Sequence, residues 1–442
     1  MTTSATVDIA REFLAVHEID TVRVEWCDLY GMSRGKSMSR EHFLAAVESG
    51  TTFSSAALQM DLQGETHLLA GQSNAQAWVS LLAVPDVSSL HPYASQQGVA
   101  RCLSDLFTTE GEPVLMSPRQ VLQRVVAQGV EMGLVPSIGL ELEFYLLPGA
   151  VDERAPVGRQ VYRMQSSAAE HTFLEPLYRQ MSEAGIEVEA ICAEDGPGQF
   201  EIILQHTSAL AAADAAYTAR NLLKELAARQ GLIATFLSRP LEQHSGSGSH
   251  IHQSLWNLEG EPLFTSGEGP AECIFWRYLA GQLRHFREAS ALYLPTINAY
   301  KRLALRTDPF RIEWAYEHRT AALRVLGSST GTLRVENRAI AGEANPYLSV
   351  AAALATGFEG IRRAESLPSA FRSSDARPAP RAGAPLPRSL EDALTELSAS
   401  ATMRRWLGSD VVDAFILLKS VEVRRYETAV TDWELREYLT AL

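Results

Sequence analysis

Short stretches of this chain alternate apolar and polar residues with the period of a β-strand. In residues 21–43, the alternation of Val22, Val24 and Trp26 with polar neighbours predicts a strand, a glycine turn, a second strand and the start of a helix. Further strands are predicted at 78–84, 99–107, 137–147, 187–193, 199–205, 232–236, 249–255 and 321–326, and helices at 117–132, 166–185, 207–230 and 271–289. Helices interleaved with strands favour an α+β or α/β fold.

Two segments interrupt this pattern. The residues TEGEP (109–113) have turn chemistry and predict a boundary between an N-terminal domain, residues 1–112, and a larger domain, residues 113–442. The Pro- and Ala-rich stretch 376–388 predicts an extended surface loop.

Four of the predicted strands carry polar residues on one face. Glu141 and Glu143 share a face, as do His250 and His252, because side chains two apart point the same way. Two further groups follow the same rule: Arg334, Glu336 and Arg338 share a face, and Glu201 follows a Gly-Pro-Gly turn that Glu194 precedes. One such strand is usually a solvent-facing edge. If the four faces converge, they place five carboxylates, two imidazoles and two guanidiniums around one cavity.

Such a cavity would favour metal-dependent phosphoryl transfer. Five adjacent carboxylates repel one another strongly unless cations lie between them. Oxygen donors with few histidines favour Mg²⁺ or Mn²⁺ over zinc, and arginines suit an anion with several oxygens. The chain has no GxxxxGK[ST] loop and no GxGxxG motif after a strand, so metals and arginines would hold the phosphates.

Composition narrows the function classes. There are 39 basic and 53 acidic residues, a net charge of −14 and no visible basic face, which argues against nucleic-acid binding. The four cysteines lie far apart, which indicates neither a zinc site nor a disulfide framework and predicts small buried side chains. The N-terminus lacks signal-peptide features and no run of 18 apolar residues occurs, so we expect a cytoplasmic protein without membrane contact.

These motifs together resemble the glutamine synthetase superfamily over nearly the whole chain. Besides the N-terminal strand pair with Asp28, Gly31 and Lys36, ten segments stand in the family's order: SPRQVL (117–122), GLELEFYLL (139–147), EDGPGQFEI (194–202), ATFLSRP (234–240), GSGSHIHQSL (246–255), LPTINAYKRL (294–303), HRTAALRV (318–325), LRVENRA (333–339), ANPYLSVAAAL (344–354) and VTDWELREYL (430–439). The resemblance implies an α+β fold, with a small β-grasp domain (1–112) before a larger α/β catalytic domain (113–442). It also implies a homo-oligomer, a dodecamer of two stacked hexameric rings with active sites between subunits.

The resemblance also implies roles for individual residues. The expected ligands of Mg²⁺ or Mn²⁺ are Glu143, Glu194 and Glu201 for one ion and Glu141, His250 and Glu336 for another. The expected ATP contacts are His252, Ser254, Arg324 and Arg334, and the positions that hold L-glutamate or the reacting phosphoryl group are Gly246, Arg302, Arg319 and Arg338. The reaction implied is phosphorylation of the γ-carboxylate of glutamate by ATP, followed by attack of an amine.

Two departures from the family pattern concern that amine. Ser54 stands where ammonia-using enzymes carry an Asp, and Asp308, the candidate base, lies nearest to the place of an expected Glu in a covering loop at 304–313. Loss of an anionic socket for ammonium favours a small amine other than ammonia: an alkylamine, ethanolamine, a polyamine or an aromatic amine. The aromatic residues Tyr30, Phe53, Trp314 and Tyr316 would either line the amine pocket or pack in the core.

Three alternatives stay open at this stage. The first is an ammonia-dependent glutamine synthetase. The second is a non-catalytic scaffold or regulator, although a scaffold has no physical need for convergent acids. The third is a metallohydrolase using His250 and His252, for which no further His or Asp cluster completes a two-metal set.

Overall fold

The computed structural model describes residues 3–93, 95–149, 161–162, 168–265, 274–304, 311–327, 332–371 and 383–442. The helices are α1 (Thr3–Val16), α2 (Arg40–Ser49), α3 (Asn74–Ala77), α4 (Pro118–Glu131), α5 (Ala168–Glu183), α6 (Ala209–Arg229), α7 (Ile274–Arg284), α8 (Phe286–Tyr293), α9 (Ile297–Ala304), α10 (Pro346–Arg363), α11 (Leu390–Ala399), α12 (Ala401–Leu407), α13 (Ser409–Glu427) and α14 (Asp432–Tyr438). Short 3-10 helices lie at Ser55–Gln59 and Val87–Ser89.

The strands are β1 (Thr21–Cys27), β2 (Ser33–Ser39), β3 (Thr51–Ser54), β4 (Ser80–Pro85), β5 (His91–Pro92), β6 (Val99–Thr108), β7 (Val135–Pro148), β8 (Val188–Ala193), β9 (Gln199–Leu204), β10 (Thr207–Ser208), β11 (Leu232–Thr235), β12 (Ser249–Trp256), β13 (Arg311–Ile312), β14 (Trp314–Tyr316), β15 (Leu323–Gly327), β16 (Leu333–Asn337) and β17 (Ala384–Pro385). The predicted alternation of strands and helices is therefore present, and the mixed fold class is confirmed.

The first hundred residues form a separate small sheet. Its order is β2-β1-β6-β4-β3, with β5 beside β6, and β1 and β6 run parallel. The predicted alternation holds, because Val22 and Val24 on β1 pack against Phe43 of α2 in one apolar cluster. A helix, α1, which the sequence pattern did not predict, precedes the predicted strand pair. The boundary at 112/113 stays a prediction, and it falls in the connection from β6 to α4.

The second sheet carries the site. In the described part of the chain its order is β14-β15-β16-β12-β7-β9-β8, with β10 and β11 also paired to β7. One face is apolar, with Leu140, Leu142 and Phe144 of β7 buried together with Ile251 of β12 and Val335 of β16. Because adjacent residues of a strand point to opposite faces, the polar neighbours of these side chains all lie on the other face.

Helices cover the apolar face. The central one is α10, which is buried along nearly its whole length and contacts α4, α6, α7 and α8. Asn345 caps its N-terminus by accepting hydrogen bonds from the backbone N–H of Tyr347 and Leu348. The helix predicted at 271–289 ends in the structure at Arg284, and a second helix, α8, begins at Phe286.

A buried arginine joins the N-terminal sheet to helix α6. The guanidinium of Arg119 on α4 pairs with Asp86 at 2.7 Å and Asp105 at 2.8 Å on the N-terminal side, and with Asp214 of α6 at 2.9 Å. Three carboxylates around one buried cation fix the position of α4 against the N-terminal sheet and against α6. Across the described ranges, every helix is too short or too polar to span a membrane.

Candidate active site

The polar faces predicted from the sequence meet on one face of the second sheet. Glu141 of β7 stands opposite His250 of β12, and Glu143 stands opposite Glu201 of β9. His250 Nδ1 lies 2.8 Å from Glu141 Oε2 and 3.6 Å from Glu201 Oε1, and its Nε2 lies 3.4 Å from Glu143 Oε1. Glu336 Oε1 lies 3.7 Å from Nδ1, so four carboxylates surround a single imidazole.

The same row continues across β16 and β15. His252 stands opposite Glu336, and Glu336 stands opposite Arg324. His252 Nε2 lies 3.0 Å from Glu141 Oε1, and the carboxylate of Glu336, 1% exposed, accepts hydrogen bonds from Arg324 at 3.1 Å and from Arg338. The second guanidinium nitrogen of Arg324 pairs with Glu317, so this arginine is held from two sides.

The pKa values of two acids in this row, Glu141 and Glu336, are lowered although both side chains are at least partly buried. Burial opposes ionisation of Glu141, but its contacts with His250 and His252 outweigh burial and hold its pKa well below the usual range. For Glu336, burial is likewise outweighed, here by Arg338 and the two imidazoles, and its pKa is lowered.

Glu201 and Glu194 lack such compensation. Burial, and then the charges of Glu141, Glu143 and Glu194, raise the pKa of Glu201 well above its ordinary value. Burial and the neighbouring Glu143 raise the pKa of Glu194 to about 7. Carboxylates crowded in this way are stabilised as anions by a divalent cation, so the donor set fits the hard cations expected from the sequence.

Ligand atoms come close enough to hold ions in three overlapping groups. In each group the atoms lie within 4.8 Å of one another: Glu141, Glu201 and His250; Glu141, His252 and Glu336; and Cys192, Glu194 and Glu201. Five of the six predicted metal ligands belong to these groups, and the sixth, Glu143, lies 3.4 Å from His250 Nε2. Glu143 Oε2 is held at 2.7 Å by the backbone N–H of Gly248, which orients the carboxylate. The division of the acids between two ions stays a prediction.

A cavity of about 280 Å³ opens beside the carboxylates. His252 and Ser254 of β12 line it together with Arg334 of β16, whereas Arg324 is not among its lining residues, and the assignment of these four residues to ATP stays a prediction. Gly139, opposite His252 on β7, leaves room there, since a Cβ at Gly139 would lie 3.7 Å from His252 Cβ. Trp256 lines the far end of the cavity and was not singled out in the sequence, although it shares the strand parity of His252 and Ser254.

The residues assigned to glutamate surround the loop before β12. Arg302 is buried, and its guanidinium donates to the backbone carbonyls of Ser247 at 2.9 Å, Ala339 at 3.1 Å and Ile340 at 3.3 Å. A Cβ at Gly246 would lie 2.5 Å from Arg302 Cγ, so only glycine fits between this arginine and the loop. Arg302 thus supports the loop, and direct contact of Arg302 or Gly246 with substrate stays a prediction.

Three further predicted residues have different placements. Arg319 is exposed, and its backbone carbonyl accepts a hydrogen bond from Arg338 Nε at 3.1 Å, while Arg338 also donates to Glu336. Ser54 is exposed at the end of β3, on the edge of the N-terminal sheet, and its hydroxyl accepts from the backbone N–H of Ala56. No hydrogen bond among the described residues joins Ser54 to the carboxylates. Asp308 lies outside the described residues.

The strand register decides between the two interpretations of Trp314 and Tyr316. On β14, Ala315 stands opposite Arg324, so it shares the polar face, whereas Trp314 and Tyr316 stand opposite Leu323 and Val325 of the core. Trp314 is buried there, with its indole N–H donating to the carbonyl of Pro368. Both aromatic residues therefore lie on the sheet face away from the carboxylates.

One side chain of the site was missed. Cys192 of β8 stands opposite Glu201, with its Sγ 3.7 Å from Glu201 Oε2, whereas the sequence pattern predicted a small buried residue. Burial and the neighbouring carboxylates raise the pKa of its thiol to about 12. The available signal was parity, because Cys192 is two residues before Glu194 and can share its face.

Comparisons with known proteins agree with this geometry. Residues 115–438 match the family model described as glutamine synthetase, catalytic domain. Glutamate–isopropylamine ligase of a Pseudomonas species is 32% identical over 97% of this chain and 97% of its own length. Gamma-glutamylethanolamide synthetase of Streptomyces coelicolor is 32% identical over 97% of this chain and 95% of its own length. A solved structure of GmaS in complex with ADP matches with a TM-score of 0.86 at 26% identity, covering 98% of this chain and 99% of that chain.

Proposed function

Because the chain belongs to the glutamine synthetase family, we propose that it is an ATP-dependent ligase that joins the γ-carboxylate of L-glutamate to an amine other than ammonia. Two relatives similar over nearly their full length are named for isopropylamine and for γ-glutamylethanolamide. The observation that carries the proposal is the continuous row of acids and imidazoles from Glu201 through Glu141 and His250 to Glu336. A scaffold would have no use for this arrangement.

The metal ions in this proposal are Mg²⁺ or Mn²⁺. Glu143, Glu194 and Glu201 would hold one ion, and Glu141, His250 and Glu336 the other. Bound there, the ions supply positive charge that stabilises the phosphoryl group as its charge builds up during transfer. The support is chemical: oxygen donors dominate the cluster, and burial together with the neighbouring Glu143 raises the pKa of Glu194 to about 7.

The nucleotide is assigned to the cavity beside the cluster. His252, Ser254 and Arg334 line its walls, and the solved GmaS structure with ADP supports nucleotide binding in this fold. Arg324 and Arg338 converge on Glu336 within the carboxylate cluster, and we assign phosphate oxygens to their guanidinium groups.

The proposed reaction has two steps, phosphorylation of glutamate and attack by the amine. An oxygen of the glutamate γ-carboxylate bonds to the γ-phosphorus of ATP, and the bond to the bridging oxygen breaks to release ADP. The nitrogen of the neutral amine then bonds to the acyl carbon, phosphate leaves with the C–O bonding pair, and the nitrogen gives up a proton to a base. Arg319 and Arg338 offset the charge of the phosphoryl group, and the loop held by Arg302 positions glutamate.

The absence of a negative charge at position 54 bears on the identity of the amine. Ser54 supplies no negative charge to bind ammonium, so a larger amine with apolar contacts is the better fit. We assign the final proton transfer to Asp308 and the exclusion of water from the acyl phosphate to the loop at 304–313. We also propose that the chain acts in the cytoplasm, where ATP and glutamate are available.

The proposed assembly is a dodecamer of two stacked hexamers. Ser54 lies on the edge of the N-terminal sheet, outside its own chain's carboxylate cluster, which is consistent with an N-terminal domain that covers the site of a neighbouring subunit. Mass photometry should give twelve times the 48.5 kDa protomer mass. A monomer that turns over normally would contradict shared sites.

The decisive experiment measures phosphate release from ATP and glutamate across a panel of amines. The panel contains isopropylamine, ethanolamine, putrescine, aniline and ammonium, and mass spectrometry identifies the γ-glutamylamide formed. We expect at least one organic amine to exceed ammonium in kcat/KM by about 100-fold. Preference for ammonium would identify an ammonia-dependent glutamine synthetase, and absence of turnover and of Mn²⁺ binding would identify a scaffold.

A further inference from the structure

One donor atom in the carboxylate cluster has no place in the proposed reaction. Cys192 faces the site because β8 and β9 pair with Cys192 directly opposite Glu201. Its neighbours confirm the parity, since Ile191 stands opposite the fully buried Ile202 and packs toward the core. The thiol is therefore directed to the polar face of the sheet by register, like the carboxylates.

The thiol and two carboxylates could contact one ion together. One ligand atom each of Cys192, Glu194 and Glu201 lies within 4.8 Å of the others. Glu201 is 8% exposed, and within the described ranges its carboxylate accepts only one hydrogen bond, a long one of 3.7 Å from Cys192 Sγ. His250 Nδ1 lies 3.6 Å from Glu201 Oε1, beyond hydrogen-bond reach, so this buried carboxylate beside a thiol and a second carboxylate calls for a cation.

The other cysteines of the described ranges have different surroundings. Cys27 and Cys102 are buried, and the ligand groups of the described residues include neither. Cys27 contributes to the main apolar core and Cys102 to the core of the N-terminal sheet. Cys192 is only partly buried and belongs to neither core.

We propose that Cys192 completes the donor set of the ion held by Glu194 and Glu201, and that this sulfur makes the position selective for a thiophilic divalent cation such as Zn²⁺, Cd²⁺ or Co²⁺. Binding replaces the S–H bond by a sulfur–metal bond, and the proton passes to solvent. Mg²⁺ has little affinity for sulfur and gains nothing from the thiol, so the sulfur favours a thiophilic ion over Mg²⁺ at this position. The proposal rests on the metal assignment of the proposed function and adds a ligand to it.

The test is a titration of the full-length wild-type protein, freed of metal, with Co²⁺. A cobalt–thiolate bond gives a near-ultraviolet charge-transfer band, which we expect in wild type and not in Cys192→Ser, a variant that differs by one atom. Competition with a chromophoric chelator should show that Cd²⁺ binding weakens at least about tenfold in Cys192→Ser, while Mg²⁺ binding is equal in the two proteins. Identical cobalt spectra would overturn the proposal.

A second measurement needs no variant. Iodoacetamide alkylation, followed by peptide mass spectrometry, reports the accessibility of the Cys192 thiol. We expect Cd²⁺ to slow alkylation at Cys192 at least about tenfold and Mg²⁺ to leave the rate unchanged. An equal rate with and without Cd²⁺ would refute the sulfur ligand. Failure of the ligase function appears separately, as absence of amine-dependent phosphate release in wild type with Mg²⁺.

Discussion

Glu141 and His250 stand directly opposite each other in the antiparallel pair of β7 and β12, with 2.8 Å between Glu141 Oε2 and His250 Nδ1. The other oxygen of Glu141 lies 3.0 Å from His252. One carboxylate therefore connects the two imidazoles, and the donors are oriented before any ion binds. Such preorganisation lowers the cost of binding, because few side chains need to be ordered on association.

Glu336 should be essential for turnover. Glu336→Gln keeps the shape of a side chain that is 1% exposed and removes its charge, so Arg324 and Arg338 lose their shared anion. We expect phosphate release to fall by at least about 100-fold while the oligomer persists. Steady-state kinetics and mass photometry check both parts. Glu259→Gln, on an exposed turn after β12, is the matched control and should behave as wild type; normal activity of Glu336→Gln would refute the metal assignment.

Substitutions at Gly139 and Gly246 should affect the binding of ATP and of glutamate separately. A larger side chain at Gly139 enters the cavity assigned to nucleotide, whereas a Cβ at Gly246 would lie 2.4 Å from the Ser238 carbonyl and displace Arg302. Gly139→Val should raise the KM for ATP, and Gly246→Ala the KM for glutamate, each by about tenfold. Each variant is the control for the other. If both raised the same KM, the division of the site would be incorrect.

An acid at position 54 should favour ammonium. Ser54 accepts a hydrogen bond from the N–H of Ala56 at the start of a 3-10 helix, and Asp caps equally well, so Ser54→Asp should fold normally. We expect ammonium-dependent phosphate release to rise by about tenfold, and further in the double variant with Asp308→Glu. Ser54→Asn keeps the cap without the charge and should not raise it. Equal effects of Asp and Asn would show that charge at this position is irrelevant.

The free energy of unfolding should fall at acid pH because Glu359 becomes protonated. Burial opposes its ionisation, but hydrogen bonds from Arg362, Trp406 and Arg363 outweigh burial and lower its pKa to about 2 from the ordinary 4.5. The folded state therefore stabilises the ionised form of Glu359 more than the unfolded state does. This contribution to the free energy of unfolding is present above about pH 4.5 and is lost as the pH falls toward 2.

Glu359→Gln should accordingly lower the free energy of unfolding at pH 7 by about 2 kcal/mol, with a smaller difference from wild type at pH 3. Urea denaturation at both pH values measures this. Glu427→Gln, an exposed change of the same charge at the end of α13, is the control. A difference between Glu359→Gln and wild type that grew on acidification would contradict the lowered pKa.

The alternation of polar and apolar side chains along a single strand could be predicted from the sequence. Because side chains alternate with a period of two, the pairs Glu141 with Glu143 and His250 with His252 had to share faces, with Leu142 and Ile251 opposite them. The burial of those apolar residues follows the prediction. Periodicity failed for α10, because a helix buried on all sides has no polar stripe to mark its period.

Only the tertiary structure determines which residues of distant strands stand opposite one another. The residue types and their order determined that this chain could bind cations and phosphates, since acids, imidazoles and arginines have that chemistry wherever they stand. The pairing of β8 with β9 turned Cys192 toward Glu201, and the pairing of β14 with β15 turned Trp314 away from the carboxylates. A shift of one residue in either register would reverse the outcome for that strand, and register depends on long-range packing that no local pattern encodes.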